Sequence, residues 1–119
     1  MIQFDQDMTL QEQFEFFHTE ENRKDLPEFL NELNISDVAL LIEENGEQAT
    51  EIIGLLSIHR AASTFKILEL GVQKDVIKDL QPLKTAALLN ELPADDRTAF
   101  LEELTTKVVR ELIKLLNPE

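Results

Sequence analysis

Residues 80–104 read LQPLKTAALLNELPADDRTAFLEEL. The stretch opens and closes on leucine, and Thr85, Leu89 and Leu92 follow Leu80 at offsets of five, nine and twelve. Offsets that advance by about four keep to one face of a helix. Pro82 stands where a first helical residue needs no N–H of its own, and Pro93 divides this helix from a second, shorter one. That second helix carries the apolar pair Phe100-Leu101 ahead of Leu104. One unit is thus a helical hairpin of about 24 residues, too small to bury its own apolar stripe, so it must pack on copies of itself.

The copies are present. Leu33, Leu56, Leu80 and Leu104 are spaced 23, 24 and 24 residues apart. Their fifth following positions hold Val38, Ala61, Thr85 and Val109, and their ninth positions hold Ile42, Phe65, Leu89 and Ile113. The twelfth position holds Leu68, Leu92 and Leu116 but fails in the first unit, where Asn45-Gly46 predicts an early helix stop. Phe29-Leu30, Ile52-Ile53 and Val76-Ile77 precede their anchors as Phe100-Leu101 precedes Leu104. Asn34, Ser57, Gln81 and Thr105 each follow an anchor, and Asn, Ser and Thr are good N-cap types. Gly71 is expected to separate two helices as Pro93 does, and Pro27 to mark a helix entry upstream. Before Leu33 a helix is expected from about Thr9 to Thr19, with Phe14, Phe16 and Phe17 as capping core. The expected organisation is all-α: about eight short helices in one helical-repeat domain over residues 8–119, preceded by a flexible tail over residues 1–7.

Composition restricts the function. The chain has 119 residues, 43% of them hydrophobic, and suits one domain. It has no cysteine, which removes disulfides, thiolate catalysis and cysteine-ligated zinc together. Against 24 acidic residues stand 11 basic ones, and the net charge of −13 opposes a phosphate backbone. Nucleic acid is therefore not an expected partner, whereas cations and basic surfaces are attracted. No apolar run approaches the roughly 20 residues that span a bilayer, so no direct membrane insertion is expected. The end at Asn117-Pro118-Glu119, with no closing element past the last apolar helix, reads as part of something longer.

Catalytic raw material is thin, and no enzyme is expected. His18 and His59 stand 41 residues apart, outside any HxxxH or HExxH pattern, and each reads as a surface or interface residue. Gly46, Gly54 and Gly71 are too scattered for a phosphate cradle. Carboxylates remain, and hard divalent cations use them. Without a calcium loop of the DxDxDG type, a site must be assembled between helices or across an interface, and magnesium asks for only one or two carboxylates plus retained waters. Asp95-Asp96, following Pro93, would also favour the positive end of a helix dipole with no ligand present.

The string Leu33-Asn-Ile-Ser-Asp-Val-Ala-Leu-Leu-Ile-Glu-Glu, the stretch from Leu80 to Arg97 and the closing Asn117-Pro118-Glu119 resemble the cytosolic N-terminal domain of MgtE-type magnesium transporters. The resemblance covers roughly residues 20–119. It implies a right-handed superhelix on the cytoplasmic side of the cell membrane, continued in the same longer chain by CBS modules and a transmembrane domain. It also implies a regulatory role: weakly bound magnesium, held by acidic residues at the interface with the CBS modules, helps to close the channel. By resemblance Asp95 is the leading metal ligand and Asp96 its weaker neighbour. Two positions depart from the family pattern, Ser63 after Ala61-Ala62 and Ala99 after Asp95-Asp96, where relatives often carry acids. The alternative is a helical-repeat adaptor for protein–protein interaction, similar to the modules of the flagellar rotor switch protein.

Overall fold

The computed structural model describes residues 7–106 and 108–110, and every regular element among them is helical. The α-helices are α1 (Leu10–Phe17), α2 (Leu26–Glu32), α3 (Ile35–Glu44), α4 (Ala49–Leu55), α5 (Ile58–Phe65), α6 (Leu70–Asp79), α7 (Pro82–Glu91) and α8 (Ala94–Glu102). Short 3-10 turns at Arg23–Asp25 and Gly46–Gln48 lead into α2 and α4. Of the expected tail only Asp7 is described, as an exposed turn residue, and Ile113 and Leu116 also lie outside the described residues.

The anchor leucines are the joints. Leu33, Leu56 and Leu80 close α2, α4 and α6 with φ of −74°, −80° and −73° and ψ of 153°, 150° and 146°. The same pair of non-helical residues, each anchor leucine and the Asn34, Ser57 or Gln81 that follows it, turns each helix into the next. Leu92 does the same between α7 and α8, with φ −69° and ψ 145°. The helices fall into two rows, α1, α3, α5 and α7 packing in succession and α2, α4 and α6 beside them.

The predicted stripe is core in the first three units, whereas Val109 in the fourth is half-buried. Val38, Ala61, Thr85, Ile42, Phe65 and Leu89 are all buried, as are the pairs Phe29-Leu30, Ile52-Ile53 and Val76-Ile77. Removing such side chains from water at about 25 cal/mol per Å² is what drives the rows together. At the amino-terminal end Phe14 and Phe17 are buried, and Phe17 meets Phe29 with ring centroids 4.7 Å apart. Phe16, at 38% exposure, is not core.

Several sequence expectations are corrected. Helix α1 spans Leu10–Phe17, held at its start by a reciprocal capping box between Thr9 and Glu12. Leu68 is buried but not helical, because α5 ends at Phe65 and the chain turns through Ile67→Thr64 and Leu68→Phe65 backbone bonds. That turn supplies the break assigned to Gly71, which instead sits in the first turn of α6. Asn34 and Thr105 do cap, accepting from the N–H groups of Asp37 at 2.9 Å and Val108 at 3.4 Å. Ser57 and Gln81 hold the N-cap position without a side-chain bond. The Ser57 N–H donates instead to Asn31 Oδ1 at 2.9 Å, so the junction is tied by a neighbouring unit.

Candidate functional site

The turn that carries Asp95 and Asp96 is built by its neighbours. Pro93 is the N-cap of α8 with φ −54°, a value its ring imposes. Leu92 before it and Phe100 two turns beyond are buried, and Phe100 meets Phe65 of α5 edge to face, centroids 5.1 Å apart. Arg97 Nη1 donates to Asn90 Oδ1 at 3.4 Å, a further link from α8 to α7. The start of α8 is therefore fixed while its first-turn acids face outward: both Asp95 and Asp96 are exposed. They occupy the second and third helical positions rather than the cap, where the helix dipole favours negative charge.

The two carboxylates are not equivalent. Asp96 lines a cleft of about 290 Å³ with Phe65, Lys66, Ala99 and Glu103, whereas Asp95 is not part of that lining. Asp96 thus shares its cleft with one cationic residue, Lys66, and a second acid, Glu103, and Asp95 with neither. Ala99, one of the two departures from the acidic pattern, is exposed in this cleft, and Ser63 is half-buried on α5. Among the described residues no group of three His, Asp or Glu side chains is arranged to hold a metal. The donor set that this chain offers at the turn is thus one or two outward carboxylates. That fits a hydrated magnesium ion completed by another surface, not an all-protein cage.

A second polar centre was not legible in the sequence. His18, at the end of α1, shares Glu51 of α4 with Arg23: His18 Nε2 lies 2.8 Å from Glu51 Oε1, and Arg23 Nη1 donates to Glu51 Oε2. Burial alone would raise the Glu51 pKa, but hydrogen bonds from His18 and Arg23, together with their charges, bring it below the ordinary glutamate value. The His18 ring also stacks on Phe14 at 5.1 Å. These contacts, with a paired amide bridge between Gln11 and Asn45 at 2.9 and 2.7 Å, fasten α1 to the array. His59, 83% exposed, faces Glu91 at 3.5 Å and behaves as the expected surface residue.

One family model matches the chain, that of the MgtE intracellular N domain, over residues 33–119. The matched segment begins at the first anchor leucine and includes the whole α8 turn. No curated protein matches the chain.

Proposed function

This chain belongs to the MgtE intracellular N domain family, and we propose that within the magnesium transporter it senses magnesium through the α8 turn. The family places it as a cytosolic regulatory domain of an MgtE transporter, a non-catalytic role. No helix among the described residues is long and apolar enough to cross a membrane. The finer reading rests on one observation: Asp95 and Asp96 stand exposed in the first turn of α8, too few to enclose an ion alone.

Two acidic surfaces of one chain repel when no cation lies between them. A divalent ion shared by carboxylates from both reverses the sign, and the closed arrangement, which holds more ions, gains as magnesium rises. In this reading Asp95 is the leading ligand, as the family resemblance implies, and Asp96 its weaker neighbour. The partner surface is the CBS pair that the family resemblance implies, and its docking helps to close the pore. The family match favours this reading over a rotor-type adaptor.

Magnesium titration of the full-length transporter, followed by protection of its cytosolic region from limited proteolysis, tests the proposal. Asp95→Asn should move the protection midpoint several-fold higher in magnesium, and Asp96→Asn should move it less. Loss of the dipole interaction costs only about 0.3–1 kcal/mol of domain stability, so the fold survives the change. An unmoved midpoint in Asp95→Asn would rule this ligand out.

A further inference from the structure

Two junctions of the array are closed by the same device. Arg60 and Lys84 each stand four residues after their own anchor, Leu56 or Leu80. Each reaches back to the preceding anchor: Arg60 Nη2 donates to the carbonyls of Leu33 and, at 3.3 Å, of Leu30, and Lys84 Nζ donates to that of Leu56 at 3.1 Å. These carbonyls end α2 and α4, where C=O groups without intrahelical partners attract a cation. The long aliphatic stems also cover apolar surface between units.

At the third junction the device stops. Four residues after Leu104 stands Val108, which has neither the charge nor the length. A cavity of about 550 Å³ lies there, floored by Ile77, Leu80, Leu104 and Val108. The Leu80 carbonyl receives the Thr85 hydroxyl at 3.5 Å in place of a cation. Lys74 and Lys78, one turn apart on α6, line the same cavity, and among the described residues neither forms an ion pair. A single acid, Glu103, shares the lining. In a chain of net charge −13, this lining carries two cationic residues against one acid, although Asp75 and Asp79 stand exposed beside the lysines on α6.

We propose that this groove receives an acidic amphipathic segment of a partner protein. Its apolar side chains fill the space that a long residue at 108 would have taken, and its carboxylates pair with Lys74 and Lys78. A basic segment would meet two like charges instead. The inference is independent of the magnesium reading, since it uses α6, α7 and the residues after α8 rather than the Asp95 turn.

The test is a titration of the isotope-labelled 119-residue chain with the acetylated peptide Glu-Leu-Leu-Glu-Ala-Leu-Leu-Glu-Glu-Leu, followed by backbone amide shifts. A counterpart with every Glu replaced by Lys, and dodecanoate as a lipid-like anion, are run beside it. The acidic peptide should shift amides near residues 74–85 and 103–108 with a sub-millimolar midpoint. Lys74→Glu with Lys78→Glu should weaken it at least about tenfold. Val108→Arg, which restores the long cation, should abolish binding while raising the thermal midpoint. Silence up to about 1 mM, a range that corresponds to some 4 kcal/mol, would overturn the proposal. So would equal binding of the Lys peptide, shifts elsewhere on the chain, or a response to dodecanoate alone.

Discussion

At the scale of single residues, Glu51 is the side chain whose chemistry carries the most structure. It accepts from His18 on one side and Arg23 on the other, and so joins the end of α1 and the turn before α2 to α4. Its pKa is lowered in the fold, since the partners outweigh the burial that would raise it. The stability it contributes is fully present above the unfolded glutamate pKa of about 4.3 and is lost as pH falls through the lower folded value. With its side chain 34% exposed, solvent screening limits that contribution to a few tenths up to about 1 kcal/mol. Glu51→Gln keeps the shape and an acceptor oxygen but not the charge. The variant should unfold at lower urea than the parent chain at pH 6 to 7, and the gap should begin to narrow as pH falls below about 4.3 and close only below the lowered folded value. A gap that persists in acid would mean that Glu51 acts through packing and neutral hydrogen bonds alone.

At the scale of elements, the joints between helices decide how well the units stack. Gly54 lies within α4, exposed, and a Cβ there would meet only Leu80 Cδ1, at 3.9 Å, an ordinary contact. Glycine inside a helix costs about 0.5–1 kcal/mol relative to alanine. Gly54→Ala should therefore raise stability by about that amount, read as a higher urea midpoint with an unchanged slope. The sequence carried much of this level. Offsets counted from the anchors named the buried face, because a helix repeats every 3.6 residues whatever it packs against. What it missed was tertiary. Leu68 leaves its helix because α5 stops at Phe65, and Ser57 makes no side-chain cap, while its backbone N–H bonds Asn31 of another unit. His18 and Glu51 are 33 residues apart, and Arg60 and Lys84 read in one dimension as ordinary surface cations. At the candidate site the start of α8 was legible because Pro93 fixes it. The cleft that groups Asp96 with Lys66 and Glu103 was not, since its lining comes from separate helices.

At the scale of the whole molecule, a net charge of −13 is spread over a body of 49 × 24 × 22 Å. Such a charge opposes its own compaction, and added salt relieves the repulsion over a Debye length of about 10 Å at 0.1 M. Magnesium should therefore stabilise this chain in isolation by screening, whether or not it occupies a site. A true site adds a second gain, which grows as RT ln(1 + [L]/Kd) and vanishes with its ligands. The two are separated by comparing the parent chain with Asp95→Asn. If the site is completed only by another domain, about 10 mM magnesium should raise the unfolding temperature of both isolated proteins equally. An increment several degrees larger in the parent would show that the α8 turn holds the ion by itself. Sensing would then belong to this domain alone, and the interface would be its consequence rather than its other half.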